Sequence, residues 1–383
     1  MKRALSLAVR RETRLVVAGT SLIAGTYGLV RLAYGLFLPD IRVSLEMSSA
    51  MAGYVASGAS VAYAAGAVFG LAAATQARRL VVGALLTASV GAVGMALSPS
   101  LAIFTPWAVV SSMGAGLASP GLVAVVQRNV PPEREARAQA RVNAGTGPGL
   151  VAAGVLALVL LPDWRLGFVV SAVLTAAAGI AVLVLDRPAV DAETTAGPAV
   201  RRTWDWVAGL WLPALAALLL GAASVVVWTY GRNQVIDEGA SGSAATVAWI
   251  ALGLGGTLTV VTARRMSALR PEPAWLLTNA AVAGSVAALG LGSGHLAVAV
   301  FACAVFGWAF VAASSVLIAW TSHLEPDEVA PGTALLFITL MLGQAVGSAA
   351  AGPVVDRHGL TTVFLLAAAV AVGSALCGRR REA

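Results

Sequence analysis

Charge is scarce in this 383-residue chain: Asp, Glu, Lys and Arg together make up 11% of it, while 58% is hydrophobic. Soluble proteins carry about a quarter charged residues, so lipid is the expected solvent. Lysine is almost absent, with Lys2 the only one. That excludes a phosphate loop, which needs Gly-Lys-Ser/Thr, and with it ATP-driven pumping by this chain alone; it also excludes a retinal Schiff base. The three histidines, His295, His323 and His358, fall at the ends of apolar stretches or between them. No nucleophile, base or metal set therefore forms at membrane depth, and neither enzymatic activity nor a cofactor is expected. Gly292-Ser293-Gly294-His295 has no acid nearby and reads as a turn. Cys303 and Cys377 lack metal-ligand spacing and read as small core residues with no disulfide. None of the 18 acidic residues lies centrally in an apolar stretch.

Twelve apolar stretches are present, at approximately 15–38, 50–75, 80–97, 101–126, 142–161, 166–185, 207–230, 244–263, 274–291, 296–320, 332–355 and 360–377. Each is near the ~20 residues a helix needs to cross the hydrocarbon core. They lack the polar/apolar alternation of barrel strands and are too long for them. The first exceeds the apolar core of a signal peptide and reads as an uncleaved first helix. The fold class is therefore an all-α membrane protein with twelve transmembrane helices.

If the stretches alternate across a bilayer, 20 of the 25 Lys and Arg residues fall on one side. These are Lys2, Arg3, Arg10, Arg11, Arg14, Arg78, Arg79, Arg128, Arg134, Arg137, Arg141, Arg187, Arg201, Arg202, Arg264, Arg265, Arg270, Arg379, Arg380 and Arg381. Positive charge is retained in the cytoplasm during insertion, so the bias predicts both termini inside and a multi-pass plasma-membrane location. It also accounts for the pI of about 10.2 through contacts with lipid head groups, without a nucleic-acid partner.

The longest polar interval, with Pro188, Gly197 and Pro198, predicts a cytoplasmic linker. It divides the chain into an N-terminal six-helix bundle (1–186), the linker (187–206) and a C-terminal six-helix bundle (207–383). Internal similarity supports the division. Tyr34-Gly35 matches Tyr230-Gly231, Pro132-Glu133 matches Pro326-Asp327, and Asp163 matches Asp356, at offsets of 196, 194 and 193 residues. Near-constant offsets suggest one duplicated unit.

This plan resembles the major facilitator superfamily of secondary transporters, and local motifs add to the likeness. That family's loop between spans two and three reads Gly-x-x-x-Asp-Arg-x-Gly-Arg-Arg. Here Gly70, Arg78 and Arg79 remain, while Ala74 stands at the acid and Ala77 at the second glycine. A second loop of this type reads Gly352-x-x-x-Asp356-Arg357-x-Gly359. Gly147-Pro148 in the fifth stretch resembles the Gly-Pro of the family's exporters, whereas Val110 stands where proton-coupled exporters carry an arginine. The resemblance implies two pseudo-symmetric bundles that move a small organic solute by alternating access, with the protein working as a monomer.

Candidate binding residues follow. Arg31 lies about 10 Å below the end of the first stretch by helical rise, where exposure to lipid is costly. Tyr27, Arg31 and Tyr34 share a helical face, and a guanidinium fork suits carboxylate, phosphate or sulfonate. Alternatively, Arg31 snorkels or clamps backbone carbonyls. Trp228 and Tyr230 complete a cavity mouth or anchor at the interface. Asn143, Thr146 and Gln344 contact substrate or bridge helices. Asp40 and Asp237 are candidates for proton coupling. Small-residue pairs Gly66/Gly70, Gly145/Gly149, Ala251/Gly255 and Gly343/Gly347 lie on the four helices that form the inter-bundle seam in the resembled family. The leading functional expectation is efflux; organic-anion uptake through Arg31 and a transport-dead ligand sensor are the alternatives.

Overall fold

In hydrocarbon every backbone N–H and C=O must be satisfied within its own segment, which leaves the helix as the form open to these apolar runs. The computed structural model describes residues 2–187 and 205–379 and is helical from end to end, with no strand among the described residues. Spans 1 to 10 are Arg10–Ser44, Ser49–Ala72, Ala77–Leu97, Leu101–Asn129, Pro132–Leu160, Trp164–Leu185, Trp211–Asp237, Gly242–Met266, Pro271–Gly292 and Leu296–Leu324. Spans 11 and 12 share Pro326–Leu376. Gly359, at φ 80° and ψ 169°, breaks that stretch; without a Cβ it enters this region at no steric cost.

Three boundaries differ from the sequence expectation. Span 1 continues through Pro39 to Ser44, so Asp40 is helical and not in a loop. Span 5 begins with an amphipathic helical segment, Pro132–Asn143, that is too polar to register as apolar. A short helix, Asp205–Gly209, takes up the end of the expected linker; residues 188–204 of that linker lie outside the described residues.

The packing repeats between the halves. Span 2 packs on span 4, span 3 on spans 4 and 6, and span 1 on spans 5 and 6; correspondingly, span 8 packs on span 10, span 9 on spans 10 and 12, and span 7 on spans 11 and 12. Backbone contact at glycine shows the same duplication. A Cβ on Gly145 would lie 2.3 Å from the Thr20 carbonyl oxygen, and one on Gly149 would lie 2.5 Å from that of Ala24. At an offset of 198 residues, Gly343 meets the Leu218 carbonyl at 2.1 Å and Gly347 that of Ala222 at 2.5 Å. Gly66 and Gly116 hold spans 2 and 4 together, as Gly255 and Gly307 hold spans 8 and 10.

Spans 2, 5, 8 and 11, which carry the small-residue pairs, do form much of the seam, but the paired glycines face elsewhere. Gly66, Gly70, Gly145, Gly149, Gly255, Gly343 and Gly347 of these pairs each meet a helix of their own half. The halves meet along spans 2 and 11, spans 5 and 8, and spans 1 and 7. Glycines on that seam include Gly35 against Trp228, Gly53 against Ser348, Gly147 against Gly253 and Thr257, Gly154 against Ile250, and Gly352 against Ser49 and Ala50.

A methyl group tests the packing directly. A Cβ on Gly116 would lie 2.2 Å from the Tyr63 carbonyl oxygen, whereas Gly284 has nothing within 4 Å. Gly116→Ala should destabilise the purified protein by ~1–3 kcal/mol of overpacking, read as a lower thermal midpoint. Gly284→Ala should leave the midpoint unchanged or raise it.

Candidate functional site

Arg31 sits in a π-helical segment of span 1, Ala24–Leu32. Such segments are rare and often mark functional sites. Gly25 and Gly28 within it lie against Thr175 of span 6 and the Gly149 backbone of span 5, which turns the polar residues of the segment toward the centre of the molecule. Arg31 Nη2 donates to Gln344 Oε1 of span 11 at 2.8 Å and lies 3.4 Å from the Met341 sulfur. The guanidinium carbon is 4.8 Å from the Tyr63 ring centroid, a cation–π contact of ~2 kcal/mol when desolvated. The buried Nε has no partner, and Nη1 makes no hydrogen bond to the described residues. Among the described residues no carboxylate pairs with this cation.

Tyr27 continues the cluster. Its hydroxyl is 2.5 Å from that of Tyr63 and 3.1 Å from Ser119 Oγ, joining spans 1, 2 and 4. Tyr34 departs from it: its hydroxyl donates to the Ala52 carbonyl at 3.1 Å and faces the Met47 sulfur. The change from π- to α-helix at Ala33 shifts the register that a uniform helical period predicts. Beside Arg31 lies a cavity of about 40 Å³ that Arg31, Tyr34, Ser60, Trp228, Thr229 and Gln344 help to line. That is room for a water or two, not an organic solute.

The face opposite the arginine-rich one is closed by contacts between the halves. Asp356 at the end of span 11 accepts from the Ser49 and Ala50 amides at 3.0 and 2.8 Å, capping span 2. Tyr230 donates to the Ser49 carbonyl at 2.8 Å. Arg232, 4% exposed, donates to the Leu36 carbonyl at 2.9 Å and to Asp40 Oδ2 at 2.6 Å. Asp163, the repeat counterpart of Asp356, caps its own following helix by accepting from Leu166. Identical chemistry thus serves one half internally and, in the other, ties the halves together.

On the arginine-rich face the N-terminal half bonds within itself. Arg11 and Arg78 donate to the Leu185 and Leu183 carbonyls, Arg128 pairs with Asp186 and Arg134 with Glu12. The last turns of span 8 are exposed around most of their circumference, with Val260 69% and Val261 77% accessible. Asn143 is exposed and Thr146 half-buried there, and Asn143 accepts from Gln139 at 3.3 Å. The halves are tied together at one face, and the last turns of span 8 are exposed at the other.

The remaining sequence candidates divide by location. Trp228 packs edge-on against Trp249, Phe306 and Phe310 within the C-terminal half, with its indole N–H buried and unpartnered. Asp237 is exposed at the end of span 7, so of the two acids Asp40 is the one held between the halves. Gly70 lies against Pro120 of span 4, Arg79 donates to Gln76, and Pro148 is exposed beside Gly147. Arg357 is exposed, and the loop containing it lies on the opposite face from Arg78 and Arg79, so the two loops are not repeat counterparts. Sequence reasoning missed Tyr63, Ser119 and Met341. Tyr63 carried a usable signal, being an aromatic phenol set in a run of small residues.

Comparison with known proteins agrees with this fold. A family model described as the uncharacterised MFS-type transporter YbfB matches residues 23–378. No curated protein matches the sequence. Among solved structures, the nucleoside transporter NupG is similar at a TM-score of 0.78 and 15% identity, over 96% of this chain and 98% of that one. The xylose transporter XylE from E. coli, partially occluded and inward open, gives 0.74 and 14% over 96% and 97%. A bacterial homologue of the human lysosomal transporter Spinster, inward-facing and unoccupied, gives 0.69 and 16% over 96% and 94%. At these identities the likeness is one of fold.

The closed face can be tested in a cysteine-free background with spin labels at Val43 and Leu291, which are 84% and 71% exposed. Asp356→Ala removes two charge-assisted hydrogen bonds, and roughly a 10- to 100-fold shift toward separation follows if ~1.5–3 kcal/mol is lost. A second, longer distance should appear in the variant. An unchanged distribution would make the cap dispensable for closure.

Proposed function

We propose that this chain, which belongs to the YbfB family of MFS-type transporters, is a secondary active transporter that moves a small organic anion by alternating access. Arg31 carries the reading. It is a cation at membrane depth with two unpartnered nitrogens, held by an amide oxygen and an aromatic face and by no carboxylate among the described residues. A carboxylate, phosphate or sulfonate on the solute supplies the missing counter-charge. Gln344 brings span 11 to the same group, so the ligand touches both halves, as alternating access requires.

In this reading the arginine-rich face is cytoplasmic, the protein works as a monomer in the plasma membrane, and bundles 1–186 and 207–383 rock about the seam glycines. Outward opening breaks the Asp356 cap, the Tyr230 bond and the Arg232–Asp40 pair together. Asp40 is the coupling candidate the geometry favours, because its partner lies in the other half; Asp237 lacks that link. Export is the direction implied by the Gly147-Pro148 resemblance, and uptake of an organic anion at the same arginine is the second reading. Tyr27, Tyr63 and Ser119 would complete the binding site toward the arginine-rich face.

Ligand-induced thermal stabilisation, screened over organic anions and lipophilic cations, tests the assignment and needs no solute to be named in advance. Arg31→Gln should weaken stabilisation by anions roughly 10- to 100-fold, the worth of a charged hydrogen-bonded contact, while folded yield is retained. Stabilisation by cations that survives the substitution would overturn it. In proteoliposomes, Asp40→Asn should uncouple accumulation from a pH gradient and Asp237→Asn should not; unchanged accumulation with Asp40→Asn would remove its coupling role.

A further inference from the structure

On the arginine-rich face, at the turn between spans 2 and 3, a cavity of about 470 Å³ opens between Arg78, Arg79 and Arg128. It lies apart from the Arg31 cluster and plays no part in the proposed transport site. Of the three arginines, Arg128 alone is paired with a carboxylate. Asp186 is bound by Arg128 through Nε at 2.8 Å and through Nη2, and accepts a further bond from Asn129 at 2.8 Å. Arg78 donates Nη1 to the Leu183 carbonyl at 3.0 Å, and Arg79 donates Nη1 to Gln76 Oε1 at 2.8 Å. Their other N–H groups make no hydrogen bond to the described residues. The cavity also takes in the start of the helix Ala77–Leu97, whose first turn holds no acid and whose N-cap, Gln76, makes no capping bond. Free amides at a helix start add positive potential. At position 74, where the resembled loop carries an acid, the sequence has alanine.

The lining is mixed in character: Thr75, Gln76 and the three arginines are polar, while Ala77 and Val82 are apolar. From Val82, exposed Leu86, Val90, Val93 and Leu97 follow at helical spacing along one face of span 3. A polar, cationic pocket thus opens onto an apolar strip that runs the length of the span. We infer that this pocket binds an anionic phospholipid, with the phosphodiester between Arg78, Arg79 and Arg128 and an acyl chain along the strip from Val82 to Leu97. A soluble phosphate would use the arginines and leave the strip without a role.

Native mass spectrometry and thermal stability of the full chain in detergent test this, with added phosphatidylglycerol, phosphatidylcholine or inorganic phosphate. Wild type should retain phosphatidylglycerol over phosphatidylcholine and gain stability from it, and inorganic phosphate should give no gain. Arg79→Gln, at an exposed side chain with one protein contact, should weaken phosphatidylglycerol binding about fivefold, and the pair Arg78→Gln with Arg79→Gln further, at ~1 kcal/mol per arginine. The control pair Arg264→Gln with Arg265→Gln, on the same face, should bind as wild type does. Equal losses in both pairs would reduce the effect to general surface charge, and no loss with Arg79→Gln would remove the site. Stabilisation by inorganic phosphate equal to that by phosphatidylglycerol would make it a soluble-anion site; any of these three results overturns the lipid assignment.

Discussion

Helices that share lipid as solvent gain no hydrophobic advantage by touching, so the integrity of this chain depends on backbones meeting at glycine. The close approach of Gly28 and Gly149 is the clearest case, because it brings span 1 against span 5 and thereby aims the π-helical segment with Arg31 at the centre. The same contact geometry recurs where Gly343 and Gly347 of span 11 meet span 7. Corresponding helix pairs in the two halves thus come close at glycines in equivalent positions.

Charge supplies the departures from that symmetry. Asp163 and Asp356 occupy equivalent positions, yet one caps its own helix and the other caps span 2 across the seam. Arg31 and Arg232 are both arginines within spans, but their surroundings differ. Arg232 has a carboxylate and a carbonyl at hydrogen-bond distance, which offsets the desolvation of a buried charge. Arg31 has an amide oxygen and a ring face, leaving donors for a further group. The first arrangement holds the halves together at one face; the second is suited to receive something.

Much of this is legible in the sequence. The arginine bias and the twelve apolar stretches each depend on composition over a window, and composition survives folding. Arg31 stands out because a cation at that depth demands a reason. Gln344 and Asp40 stand out separately, but nothing in the sequence joins Gln344 to Arg31 or Asp40 to Arg232. The face expected for Tyr27, Arg31 and Tyr34 breaks down for a local reason, since a π-helical segment does not follow the usual period. The paired glycines face away from the seam for a global one: spacing reveals that a helix can be approached, not which neighbour approaches it.

By itself the sequence determined the solvent, the helical class, the number of spans and the polarity of charge across them, because hydropathy and positive charge act segment by segment during insertion. Only the tertiary structure decided which face is closed, which acid is held by an arginine and what surrounds Arg31. Those outcomes rest on contacts between residues such as Arg31 and Gln344 or Asp40 and Arg232, far apart in the chain. Their meeting is set by how two six-helix units pack, a property no single segment carries.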